Sequence, residues 1–274
     1  MKKILTKILA TTLICTVAFT STVQKVSAND NDSKIKTIIN NNDEKVVETT
    51  SDDFKFRCTN DKKNNDITME KYSLKTGGLL LTVVLDNDAQ VITVTDAVSD
   101  SQTTQTVSEV INGALIPENQ AISNTVVQAT SNYSIMATTA NQNTFSNYEY
   151  TKTYGSPNVW ELRRPDGSLN GTYYFKTNET STNRNYLTAF YDAVESINST
   201  EGKLIGSLGL AVFTSALSVV IMCATEGLGE PLAAYLSSLG FSGTTISLSA
   251  DLGDYCSKAK DNYYNTYNCS SVFY

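Results

Sequence analysis

The sequence predicts an α+β protein, with an N-terminal β-rich hairpin or meander and a C-terminal apolar helical hairpin or small bundle. Three patterns carry that reading. The stretch "GGLLLTVVLDNDAQVITVTDAV" places two β-branched runs around Asp86, Asn87 and Asp88, the composition of paired strands about a turn. Leu187, Phe190, Tyr191, Val194 and Ile197 recur at three- and four-residue steps, the spacing of one helix face. Leu204 to Thr225, "LIGSLGLAVFTSALSVVIMCAT", then runs for 22 residues without a charge.

The N-terminus sets the expected compartment. Lys2, Lys3 and Lys7 precede an apolar run from Ile8 to Phe19, and Val26 and Ala28 stand at the spacing a signal peptidase reads, so residues 1–28 read as a secretory signal of Gram-positive type. Cys15 lies inside the apolar run, without the small residues that precede a lipidated cysteine. Removal of this segment takes four lysines and leaves 17 basic against 28 acidic residues, a net charge of -11. Such a surface excludes nucleic acid as a partner and separates the whole chain from short cationic membrane peptides.

Cys58, Cys223, Cys256 and Cys269 would remain, an even number in an oxidising space. Three connectivities are open, and Cys256 with Cys269 is the preferred pair because they flank a short segment. The competing reading is free buried thiols, above all for Cys223 in its apolar run.

Composition divides the rest. Residues 29–65 are rich in Asn, Asp and Lys and read as a disordered acidic segment. Residues 66–136 read as a β-rich propeptide or accessory region ending in a Ser-, Thr- and Gln-rich linker. Asp86 and Asp88 lack the following Gly and Glu of a calcium loop, so they read as a turn and no metal is expected. Residues 137–180, with "VWELRRPDGSLNGTYYFK", read as a β-hairpin region turning at Pro165, Asp166 and Gly167, packed through Trp160.

Residues 181–274 read as an apolar helical domain. A first helix, with Asp192 and Glu195 toward water, is interrupted at Asn198, Ser199 and Thr200. A second starts near Glu201, whose charge suits a helix N-terminus. Ser207, Ala211 and Ser215, extended by Gly202 and Gly206, make a strip of small residues where another helix could approach. Pro231 opens and Gly240 ends a shorter helix, and a last one runs from about Thr244 through Asp261. Tyr255, Tyr263, Tyr264 and Tyr267 suit a membrane interface, and equally a core or protein interface.

No histidine occurs in the chain. Ser-His and Cys-His nucleophiles and His-ligated metals are therefore absent, and "SLKT" at Ser73–Thr76 lacks the companions of a Ser-Lys hydrolase. Asp192 with Glu195, and Asp251 with Asp254, read as solvated helix faces. The chain reads as a non-enzyme without cofactor.

The stretch "AVESINSTEGKLIGSLGLAVFTSALSVVIMCATEGLGEPLAAYLSSLGFSGTTISLSADLGDYC" resembles the C-terminal part of the geobacillin-type large secreted bacteriocins of Gram-positive bacteria, over roughly residues 185–269. The resemblance implies an exported antimicrobial protein that disrupts target membranes. In that reading Gly206, Ser207, Ala211, Ser215, Leu217 and Val220 belong to an inserting helix and Leu232 to Leu239 to a return segment. Glu226 and Glu230 stay at headgroup level, the tyrosines anchor the interface, and oligomers could form on the membrane. Its partner is the target-cell membrane or an unidentified surface receptor. The alternative is a secreted binding or structural protein whose apolar helices form a buried core.

Overall fold

In the computed structural model of the chain, the described residues are 35–51, 53–107, 109, 138–141, 144–165, 172–223 and 228–270. The signal-peptide reading of 1–28 and most of the linker fall outside them.

Seven strands follow one another along the chain: β1 (Lys36–Asn40), β2 (Glu44–Thr50), β3 (Phe54–Asp61), β4 (Asp66–Ser73), β5 (Leu79–Asp86), β6 (Val91–Asp96) and β7 (Ser101–Thr106). Each pairs antiparallel with the next, so the sheet order equals the chain order. Register places Val47 opposite Cys58, Cys58 opposite Met69, and Met69 opposite Val83. These four side chains are buried and form one continuous row on one face, because alternate side chains of a strand point the same way.

This sheet corrects two expectations. The segment read as disordered, 29–65, contains β1, β2 and β3, and the Ser- and Thr-rich start of the linker is β7. The physical reason is visible in the turns. Asn41 Oδ1 accepts from the amides of Asp43 and Glu44, Asp61 from Lys63 and Asn64, Asp86 from Ala89, and Asp96 from Val98 and Ser99. The Asn and Asp residues that lowered the hydropathy build tight turns, while Val46, Val47, Phe56 and Cys58 supply enough buried surface to order the strands between them. The turn read at Asp86–Asp88 lies between β5 and β6.

The hairpin expected in 137–180 is part of a second, four-stranded antiparallel sheet. Its strands are β8 (Thr138–Asn141), β9 (Glu149–Thr153), β10 (Val159–Pro165) and β11 (Thr172–Asn178), in the order β11-β10-β9-β8. Tyr150, Trp160, Leu162 and Phe175 are buried.

Four helices follow: α1 (Arg184–Leu208), α2 (Leu210–Cys223), α3 (Gly229–Ser238) and α4 (Thr244–Cys269). The interruption expected at 198–200 does not occur. α1 continues through it with Thr200 buried, and the break falls at Gly209, whose φ is 79°, a conformation costly for residues with a Cβ. α2 packs on β4 and β5, and α3 on β2 and β3, so both cover the first sheet. α1 and α4 pack on each other and reach the second sheet through β9 and β10. Asn183, just before α1, donates to Ser270 Oγ at the end of α4, so the two run antiparallel.

The C-terminus of α3 is tied to the first sheet. Lys45 Nζ donates to Ser237 O, and Asn60 Nδ2 to Ser238 O at 3.2 Å. A cation at the carbonyl end complements the helix dipole.

The preferred disulfide is excluded. Cys256 and Cys269 sit on one helix, α4, where 13 residues of rise separate them by roughly 20 Å, far beyond disulfide reach. Cys58, Cys256 and Cys269 are free thiols; the Cys223 side chain lies outside the described residues.

Candidate functional site

The charge-free run is divided by its bend. Of the sequence candidates, Leu217 and Val220 are buried together with Phe213, Ala216 and Val219, beneath the first sheet. Gly206, Ser207 and Ala211 are exposed and Ser215 is half-buried. The small-residue strip is therefore not a helix seam: a Cβ on Gly202 or Gly206 would meet nothing within 4 Å. The hydroxyls of Thr214 and Ser218 donate back to Leu210 O and Thr214 O, which satisfies polar atoms within the apolar helix. No described helix is long and apolar enough to cross a membrane. The return segment is α3, with Leu232, Ala233, Ala234, Tyr235 and Leu236 all buried. Glu230 is half-buried in its first turn, and Glu226 falls outside the described residues.

Glu201, expected at a helix start, is instead an interior residue of α1 and only 1 % exposed. Its carboxylate accepts the amide N–H groups of Phe145 at 2.8 Å and Ser146 at 2.9 Å. These residues belong to the turn before β9, closed by Thr144 Oγ1 donating to Tyr148 O. Phe145 in turn packs edge-on against Phe213 of α2, with ring centroids 5.7 Å apart. Burial pushes the Glu201 carboxyl up and the two N–H groups pull it back, leaving it at about 7. Cys256 lies close by, its thiol pushed up by burial and further by the Glu201 charge. The two hydrogen bonds fix the turn to α1, and with Glu201 and Cys256 both buried the cluster offers no exposed nucleophile.

Glu195 departs from the solvated face read for it. It accepts from Tyr150 Oη at 2.7 Å and Asn141 Nδ2 at 3.1 Å, joining α1 to the second sheet. Asp192, Asp251 and Asp254 are exposed as expected. Glu179 plays a similar joining role. It accepts from Asn158, Trp160 Nε1 and Arg184 and faces Lys152 at 3.5 Å. Burial raises its carboxyl, but these donors and the lysine charge override that and hold it at about 2.

The tyrosines separate by environment. Tyr255 is half-buried with Lys258 Nζ over its ring. Tyr263 is buried and packs against Phe175 and Phe190. Tyr264 and Tyr267 are 40 % and 48 % exposed. On β11, Tyr173 and Tyr174 are 54 % and 60 % exposed and, as strand neighbours, face opposite ways. Arg164 of β10, the register partner of Tyr173, joins the two elements. Its guanidinium carbon lies 4.5 Å from the Tyr173 ring centroid, 4.8 Å from that of Tyr264 and 5.4 Å from that of Tyr263. On the opposite face Arg163 lies over Tyr174 at 5.4 Å.

Arg164, Tyr173 and Tyr174 are not among the sequence candidates. The adjacent tyrosines of "TYYFK" on an expected strand are the signal, since neighbours on a strand face opposite ways and both cannot enter one core.

No protein-family model matches the chain, and neither a curated protein nor a solved structure matches it. Among the described residues no group of His, Cys, Asp and Glu side chains is placed to hold a metal.

Proposed function

We propose that this chain is a secreted, non-enzymatic antibacterial protein that acts in its folded form by binding at the surface of a target cell. The observation that supports this best is the burial of α2: its apolar side chains cover β4 and β5 and are the interior of a protein folded in water. The exposed aromatic surface at Arg164 supplies a face for contact, of the Tyr- and Arg-rich kind enriched at interfaces. The large-bacteriocin resemblance supplies the biological setting.

A second reading, membrane disruption, draws on one observation. Among the described residues of the charge-free run only the bend at Gly209 divides it, and as one straight helix its 22 residues would cover roughly 33 Å, enough for a bilayer core.

Sedimentation with intact Gram-positive cells, paired with dye release from anionic vesicles, tests the proposal. Binding to cells without dye release is the expected result. Dye release at comparable protein concentration overturns it in favour of membrane disruption, and absence of cell binding removes the surface-acting reading.

A further inference from the structure

The end of the second sheet combines exposed aromatic rings with a fixed guanidinium. We infer that Tyr173, Arg164 and Tyr264, with Asp261 and Tyr267 three residues before and after Tyr264 on α4, form a binding platform for the sugar rings of an uncharged glycan. The assignment of that glycan to a target-cell wall rests on the surface-acting reading above; the binding chemistry does not.

Shape and pre-organisation carry the argument first. Arg164 is held at three points: Nη1 donates to Pro165 O at 2.8 Å, Nη2 donates to Tyr264 Oη at 2.5 Å, and its carbon packs against the Tyr173 ring. The two most exposed rings around it are thereby fixed before any ligand arrives, so little side-chain freedom is lost on binding. Tyr264, Tyr267 and Asp261 follow one another at three-residue steps on α4 and are all exposed, so they share a face. β11 is an edge strand, which leaves the platform open along one side.

Chemistry then selects the ligand. A pyranose ring presents an apolar face of weakly positive C–H groups, which matches the negative face of an aromatic ring, and a rim of hydroxyls that both donate and accept. Arg164 forms no ion pair among the described residues, and its terminal nitrogens have N–H groups left to donate. Asp261 and the tyrosine hydroxyls supply acceptors. The acidic charge of the chain, -7 over the full sequence, disfavours a polyanion. Binding through rings and hydroxyls should therefore depend little on salt.

The test is co-sedimentation of the purified full secreted chain with peptidoglycan sacculi stripped of their anionic wall polymers, at low and high salt. The expected result is binding at both salt concentrations, weakened about tenfold or more in a Tyr173→Ala, Tyr264→Ala double variant, since exposed rings of this kind act as binding anchors. Both side chains are exposed, and a circular-dichroism melt establishes that the variant folds. A Tyr154→Ala variant, altered at an exposed tyrosine of the loop after β9, should bind as the parent does. Absence of binding, equal binding by the double variant, or binding only to unstripped sacculi and lost at high salt would each overturn the inference. Cell binding without sacculus binding would remove the glycan platform and leave the surface-acting reading standing; loss of both would remove both.

Discussion

Gly229 and Gly253 bring the backbones of α3 and α4 into contact. A Cβ on Gly253 would lie 2.3 Å from both the Cα and the amide nitrogen of Gly229, whereas a Cβ on Gly229 would lie 3.1 Å from the Gly253 Cα. The first distance requires the helices to separate. Gly253→Ala should therefore destabilise the fold by about 3 kcal/mol or more, despite the roughly 1 kcal/mol that alanine gains over glycine in a helix interior. Gly229→Ala should cost less. Urea midpoints of both variants check this, and equal midpoints for Gly253→Ala and the parent would refute the close crossing.

Glu201 gives stability a defined pH slope. Its carboxyl stands at about 7 in the fold, above the ordinary carboxylate range, so the folded chain binds this proton more tightly than the unfolded one. The resulting stabilisation is complete below the ordinary value near 4.5 and is lost as pH rises through about 7. Glu201→Gln should remove this slope, making stability at pH 8 equal to or above that of the parent by up to about 3 kcal/mol. Denaturant titrations at several pH values would show it; an unchanged slope in the variant would contradict the buried-carboxylate account.

Glu179 contributes with the opposite sign. Its carboxyl is held at about 2, so its stabilising effect is present above the ordinary carboxylate range and disappears as pH falls from about 4.5 toward 2. Nuclear magnetic resonance of the carboxyl carbons should find Glu179 titrating below the other glutamates, and Arg184→Ala should raise it.

Thiol chemistry separates the cysteines. Cys58 is buried against Ser238, and burial pushes its thiol up to about 12 despite that hydrogen bond. Cys269 is exposed. Site-mapped alkylation of the native protein should label Cys269 promptly and leave Cys58 and Cys256 unlabelled until denaturant is added. A Cys256–Cys269 bridge in the mapped peptides would contradict the single helix that carries both.

Periodicity made the α+β class legible, because β4, β5 and β6 alternate and α1 repeats at helical steps. It failed where polar residues do local work. The Asn and Asp of residues 29–65 read as disorder, yet they accept backbone N–H groups in turns between strands whose apolar residues are few but aligned. Asn198, Ser199 and Thr200 read as a break, yet a long helix tolerates them, and only Gly209 adopts the positive φ that ends it. The partnership of Arg164 with Tyr173 and Tyr264 joins β10, β11 and α4, which the sequence alone does not bring together. Glu201 was hidden for the same reason, since its partners Phe145 and Ser146 lie more than 50 residues earlier.

The central claim is that α2 stays in the core of the acting protein. Amide hydrogen exchange of α2, β4 and β5, measured free and bound to target cells or anionic vesicles, tests it directly. The account predicts the same protection in both states, because the helix continues to cover the sheet. A large loss of protection at β4 and β5 on binding would mean that α2 has left the sheet, and would contradict it.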